Sequence, residues 1–531
     1  MRRKSFKQHL FSMIPRTNIA RSQFNRSFNH KTTMNSGKLV PIMIDEILPG
    51  QTVNLRPFIF ARLATLAVPV MDNCYFDIFA FFVPNRLVWE HWVNFCGEQD
   101  NPDDSTDYLI PTLTAPAGGF EVGSLADYLA IPTGVPNLKV NALPFRCYNL
   151  IYNEWFRDEN LQDSLPMNKG DTDTIDNYQL VNRGKRHDYF TSALPFPQKG
   201  EDVIIPLVGD APVYFNQNDG APIRSVSHPV WFDQYGNTIK SECYIKADSN
   251  GRTFVSNSGS ANNGIAFLSP YADMSNVSAT DINSLRTAFQ IQKFLERQAR
   301  GGTRYCEVLA SHFAVRSPDA RLQRPEYLGG GSTRINVNSV AQTSASDSVT
   351  PQGNLSAFGY VSSSKGGFTK SFVEHGYLFL LANIRADLNY QQGLARMWSR
   401  QTLYDFYWPT FAHLGEQAIL NKEIVATGTS ADDEVFGYQE RYAEYRYKPN
   451  TITGQFRSTY AQSLDVWHFA QDFGDSAPAL NSDFIQDNPP IRRALAVTDE
   501  NYPEFLVDIN FKYLCVSPMP AFGVPGLVDH F

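Results

Sequence analysis

Reactive side chains are plentiful in this 531-residue sequence, yet few stand at a spacing that does chemistry. His187 and Asp188 are adjacent, within a stretch from Arg183 to Gln198 that also holds Lys185, Arg186, Pro195 and Pro197. A general base needs a nucleophile within hydrogen-bond reach, and spacing assigns no serine or cysteine to this pair, so an active site is not expected there. Gly329-Gly330-Gly331-Ser332-Thr333 lacks the lysine and the spacing of a phosphate-binding loop. The six cysteines (Cys74, Cys96, Cys147, Cys243, Cys306, Cys515) form no CxxC pair. Zinc needs ligands paired at short spacing, so these cysteines read as reduced and mostly buried. A glycosidase needs two carboxylates at a defined separation, and nothing marks such a pair. The expectation is a protein with no catalytic residues, no metal and no cofactor.

What the spacing does single out is charge. Residues 1–38 carry nine basic side chains (Arg2, Arg3, Lys4, Lys7, Arg16, Arg21, Arg26, Lys31 and Lys38), and the first carboxylate is Asp45. Removing those nine charges from a net charge of −8 leaves −17 on the remainder. A basic arm ahead of an acidic body points to a polyanion, and the first eight of these residues are the candidate nucleic-acid contacts. Phe6, Phe11, Phe24 and Phe28 interleave with them and could stack on unpaired bases. The alternative is a disordered or partner-bound arm whose basic character is incidental, and these rings could equally pin it under a neighbouring surface. A second basic–aromatic alternation, Arg441, Tyr442, Tyr445, Arg446, Tyr447 and Lys448, fits a binding face or a subunit contact equally well.

The elements that must position these groups are mostly strands. Leu55–Leu63 alternates, with Leu55, Ile59, Ala61 and Leu63 on one side and Arg56 and Arg62 on the other, the pattern of a half-buried strand. Cys74–Val83 is apolar at nearly every position and needs cover on both faces, as in a two-sheet sandwich. Further strands are expected at Arg334–Gln342, Gly376–Leu388 and Phe505–Val516. Helices are expected at Arg86–Cys96, Leu125–Ile131, Phe145–Leu161, Ile282–Arg300 and Tyr305–Phe313, the third with an aromatic face of Phe145, Tyr148, Tyr152, Trp155 and Phe156. Ser317–Gly330 reads as a charged segment bounded by prolines, and Thr343–Gly367 as mobile. With 34 Gly, 32 Pro and 13% aromatics, composition favours short strands and many loops around a large core.

Residues 205–274 differ in texture. Turn clusters separate the apolar pieces Val213–Phe215, Val230–Phe232, Cys243–Ile245 and Thr253–Val255, which suggests an inserted β-rich module projecting from the body. Trp231, Phe232 and Tyr235 are its candidate ligand platform, as in an adhesin or lectin. The organisation expected is therefore a basic arm (1–38), a body in two parts (39–204 and 275–516) around the insertion (205–274), and a proline-rich tail (517–531) lying against another subunit. No apolar run approaches the ~20 residues that span a bilayer, and the basic N-terminus lacks the apolar core of a signal peptide. Both point to a soluble, non-secreted protein.

Several stretches carry a family resemblance. Ile14-Pro15-Arg16, Lys31-Thr32-Thr33, Asp45-Glu46-Ile47-Leu48-Pro49-Gly50, Asp188–Gly200, Gly302–Gly330, Phe406-Tyr407-Trp408-Pro409 and Gly437–Gly454 follow in order along nearly the whole chain, Ser317–Gly330 being the most specific. They resemble the major capsid proteins of gokushoviruses, single-stranded DNA bacteriophages of the Microviridae. The resemblance implies an eight-stranded jelly roll with long insertion loops and short helices, assembled in the host cytoplasm into a T=1 icosahedral shell. It makes the 205–274 module a protrusion at the threefold axes that meets the host. The implied partners are further copies of the chain, a circular single-stranded DNA genome and a bacterial surface receptor. Minor capsid or pilot, internal scaffolding and small basic DNA-packaging proteins of the phage complete the set.

Overall fold

The computed structural model describes residues 19–204, 282–344, 346, 351–497, 499 and 501–523, together with the backbone of strand segments inside 213–272. Eight strands make the body: β1 (Phe28–Met34), β2 (Val40–Ile47), β3 (Thr52–Leu63), β4 (Cys74–Pro84), β5 (Glu326–Arg334), β6 (Leu355–Ser363), β7 (Gly376–Ala386) and β8 (Phe505–Ser517). They form two antiparallel sheets, one in the order β1-β8-β3-β6 and the other β5-β4-β7-β2. That order, 1-8-3-6 against 5-4-7-2, is the double Greek key of an eight-stranded jelly roll. Ser22–Asn25 extends the first sheet beside β8, Asn336–Ala341 beside β6, and Phe368–Ser371 beside β3.

The two sheets bury differently, and the sequence pattern is the reason. In β3, Val53, Leu55, Ile59, Ala61 and Leu63 point into the sandwich while Arg56, Phe58, Phe60 and Arg62 point out. β8 alternates in the same way over its whole length. Among the described residues, this sheet is covered on one face only. In β4 and β7 both faces are buried. Phe76, Ile78, Ala80 and Phe82 enter the sandwich core with Leu378, Leu380, Ala382 and Ile384. Phe81, Val83, Phe379 and Leu381 enter a second core on the far side of the sheet. Each Val, Leu, Ile or Phe side chain so withdrawn from water contributes about 1.5–3 kcal/mol.

Helix α1 (Leu143–Trp155) supplies the second cover, with Phe145, Tyr148, Ile151 and Tyr152 buried in that far core. Its stripe is the expected one, but the helix begins two residues before Phe145 and stops at Trp155 rather than at Leu161. Trp155 and Phe156 close its end by packing on Phe81 and Phe79 at 5.6 and 5.1 Å between ring centroids. The helix expected at Arg86–Cys96 is instead a 3-10 turn, Asn85–Leu87, and one helical turn, Trp92–Phe95. Fully buried Trp89 lies between them and donates to Asp171 Oδ1. Two further helices, α2 (Ile282–Gly301) and α3 (Tyr305–Phe313), lie within a residue of their expected bounds.

Two stretches not expected as strands are strands. Glu326–Arg334, with its three consecutive glycines, pairs with β4 because a side chain there has no room: a Cβ on Gly330 would stand 2.4 Å from the Ile78 carbonyl oxygen. Leu355–Ser363, inside the stretch read as mobile, pairs with β3 through Tyr360 to Ser363. Its serines mostly point outward, and the inward Gly359 makes space for the Leu63 side chain. The last part of the basic arm is also sheet: Ser22–Asn25 and β1 lie antiparallel along β8.

Residues Gly200–Glu296 form a compact unit of their own. Val213–Phe215 pairs with Pro270–Ala272, Trp231–Phe232 with Thr238–Ile239, and Cys243–Ala247, Thr253–Asn257 and Ala266–Phe267 make a three-stranded sheet. The apolar pieces read as strands are strands; Val230 lies outside the described residues.

Candidate assembly and nucleic-acid surfaces

Of the eight basic residues expected to meet nucleic acid, Arg2, Arg3, Lys4, Lys7 and Arg16 lie outside the described residues. The other three are tied to the sandwich. Arg21 donates to the Gly50 carbonyl. Arg26 sits between the two strands beside β8 and forms a two-pronged bond to Asp45 of β2, at 2.7 and 2.8 Å, with its guanidinium 5.0 Å from the Tyr513 ring centroid. It joins one sheet to the other. Lys31 reaches Asp508 at 2.9 Å on the outer face of β8, with both side chains well exposed. Trp231 and Phe232 lie on one short strand, and Tyr235 is outside the described residues.

The His187–Asp188 pair is not brought together for proton transfer. Asp188 Oδ1 accepts from the Phe190 and Thr191 amides at 2.9 and 2.8 Å, and Oδ2 from the Tyr390 hydroxyl at 2.6 Å. Burial first, then the Asp188 carboxylate, holds the Tyr390 hydroxyl well above its usual pKa. Asp188 fastens its loop; His187 is exposed. Tyr442 of the 441–448 segment is buried, and Arg446 pairs with Glu440. Arg400 lies 4.4 Å from the Tyr445 ring. That face is partly consumed by its own packing. Next to it, Trp398, Tyr404, Phe406, Tyr407 and Trp408 are exposed in a segment of short 3-10 turns. Exposed aromatics grouped along the chain in this way make the segment a candidate interaction surface.

Two buried ionic groups were not visible as sites in the sequence. Asp77 of β4 accepts from both Arg183 and Arg385 at 2.8 Å, pinning the loop after α1 to the sheet. Arg146 and Asp173 pair at 2.8 Å with no exposure of either side chain, and Arg146 also donates to the Val88 and Gly170 carbonyls. The only signal for either was a lone charge in an apolar run. Cys74, Cys147 and Cys515 are buried free thiols; Cys96 is exposed and Cys306 half-buried. Among the described residues no cluster of His, Cys, Asp or Glu could hold a metal, and no helix is long and apolar enough to cross a membrane.

Charges here brace loops against sheets, and the apolar surface left over faces outward. Such a sandwich suits a structural subunit, although a jelly roll by itself hosts many functions. The chain belongs to the capsid protein (F protein) family, whose model matches residues 12–527. It is 52% identical to the capsid protein VP1 of Bdellovibrio phage phiMH2K over 530 residues, covering 99% of this chain and 98% of that one. It is 43% identical to VP1 of Chlamydia phage 1 over 593 residues (98% of each chain) and 38% identical to VP1 of Spiroplasma virus 4 over 542 residues (98% and 97%). These are gokushovirus capsid proteins, as the sequence resemblance implied. The protein is a major capsid protein of a bacteriophage and a component of the virion, structural rather than enzymatic.

Proposed function

We propose that this protein builds a T=1 icosahedral shell around a circular single-stranded DNA genome and carries its host-attachment surface on the 205–274 module. Family membership across nearly the whole chain is the observation that carries this reading. Closed shells repeat a few interfaces many times, and the exposed aromatics of residues 398–408 supply apolar area for such contacts. The basic residues Arg2, Arg3, Lys4, Lys7 and Arg16 face the genome, and the 517–531 tail lies at a subunit contact. Assembly takes place in the host cytoplasm with pilot, scaffolding and small basic packaging proteins of the phage, and the receptor is a bacterial surface structure.

Electron microscopy of the expressed chain tests the shell: uniform particles of one small diameter are expected, and particles of several sizes would overturn it. Replacing the five N-terminal basic residues by glutamine should flatten the salt dependence of DNA binding by about 3–4 in slope, at roughly 0.7 per lost phosphate contact. For attachment, assembled shells carrying W231A, F232A and Y235A should form normally yet no longer adsorb to host cells. Unchanged adsorption would move the attachment surface elsewhere.

A further inference from the structure

The outward face of the β1-β8-β3-β6 sheet gathers residues that are far apart in sequence. Along the β8–β3 pairing, Asp508, Asn510 and Lys512 stand opposite Phe60, Phe58 and Arg56, and Leu506 stands opposite Arg62. β1 places Lys31 beside Asp508, and β6 places Tyr360 beside Arg62. Strand alternation turns all of these away from the sandwich.

The charge balance of this face is opposite to that of the chain, whose net charge is −8. Asp508 is the one carboxylate in these rows, and Lys31 answers it at 2.9 Å. Among the described residues, no carboxylate lies within ion-pair distance of Arg56, Arg62 or Lys512. Lys512 Nζ instead sits 5.0 Å from the centroid of the Phe58 ring. Phe58 and Phe60 remain 39% and 46% exposed in the middle of the face, and the Phe60 and Tyr360 ring centroids are 6.4 Å apart. Unpaired cations around open rings on a rigid sheet suit one ligand chemistry: phosphates meet the charges and unpaired bases stack on the rings.

We propose that this sheet face binds single-stranded nucleic acid, with Arg56, Arg62 and Lys512 on phosphates and Phe58 and Phe60 under bases. The proposal rests on the reading that the shell encloses a single-stranded genome, and it adds a structured site to the N-terminal basic residues. All five side chains are outward-facing, so substituting them leaves the sandwich core untouched.

The test uses the full-length chain, kept unassembled, with a fluorescent oligothymidylate and its duplex as probes over a salt series. R56Q/R62Q/K512Q is expected to lower the salt slope by about 2, from roughly 0.7 per contact. F58A/F60A is expected to weaken single-strand binding tenfold or more while leaving the slope unchanged, and the duplex to bind more weakly than the single strand. A parallel variant with Arg2, Arg3, Lys4, Lys7 and Arg16 replaced by glutamine separates the two readings. If only that variant changes the slope, the sheet-face site is overturned and the N-terminal reading stands. If only R56Q/R62Q/K512Q changes it, the reverse holds. A slope unchanged in the triple variant together with loss of DNA-free assembly would make the face a contact between copies and overturn the proposal.

Discussion

Arg385 on β7 meets Asp77 on β4 at 2.8 Å between Nε and Oδ2, with both side chains only 7% exposed. The register pairs Asp77 with Asn383, so the contact is diagonal across the two strands. Arg183 reaches the same oxygen from outside the sheet and lies 4.9 Å over the Phe79 ring. One carboxylate thus holds two strands and the loop that follows α1.

Removing that carboxylate leaves two cations facing one another under cover. Asp77→Ala is expected to cost about 3–5 kcal/mol, the usual result of breaking a buried pair from one side, read as a shift in the urea midpoint of the unassembled chain. Burial pushes the Asp77 pKa up, but the Ser332 hydroxyl on the neighbouring strand and the Arg385 and Arg183 charges outweigh it and hold it below the usual carboxylate range. A depressed carboxylate pKa stabilises above the unfolded value of about 4 and loses that contribution as pH falls through the folded value. In D77N the acid-side loss of stability should therefore be smaller.

Asp487 behaves in the opposite sense. Burial, against the opposing pull of Arg183, Lys185 and Arg385, raises it to about 7. A raised carboxylate pKa gives stability that is full below about pH 4 and declines as pH rises toward 7. Asp487→Asn should remove that decline, giving a variant more stable than the parent at pH 7–8, by at most about 4 kcal/mol. Thermal unfolding of both proteins from pH 4 to pH 8 checks it; parallel curves would refute it.

Gly330 faces backbone, and backbone cannot step aside. Gly330→Ala puts a methyl group against the Ile78 carbonyl oxygen and is expected to cost about 1–3 kcal/mol, as overpacking does. Gly353, at a turn with open space around it, has φ +88°, so its alanine variant tests strain without crowding. A G330A protein that melts with the parent would show that β5 can shift along β4.

Arg26 and Lys31 were read alike from the sequence and should now separate. Arg26→Gln loses a two-pronged bond to Asp45, itself only 14% exposed, and is expected to cost about 1–2 kcal/mol. Lys31→Gln breaks an exposed pair and should cost under about 0.5 kcal/mol. Chemical denaturation of the two variants side by side would reveal equal losses if both residues were merely surface charges.

Much of the fold was legible because its strands announce themselves by period. Leu55–Leu63 and Phe505–Val516 alternate, and Cys74–Val83 does not, and the structure makes the first two one-sided and the third two-sided. Where period was lacking, the reading failed. Gly329–Gly331 and Ser362–Ser363 look like loop residues, and only the closeness of the neighbouring strand makes them sheet. The helix expected at Arg86–Cys96 is broken up with Trp89 held in the core, a tertiary demand that outweighs local propensity.

By itself, the sequence determined a β-sandwich with an apolar two-sided sheet, a basic N-terminal stretch and no arrangement fit for catalysis. These follow from periodicity, charge and spacing along the chain. Only the tertiary structure decided which cations are free. Arg26, conspicuous in the sequence, is bound to Asp45, while Arg56, Arg62 and Lys512 stand together without carboxylate partners among the described residues. The reason is register: strands β3 and β8 lie more than four hundred residues apart in the chain, and pairing them residue for residue puts those three charges on one face.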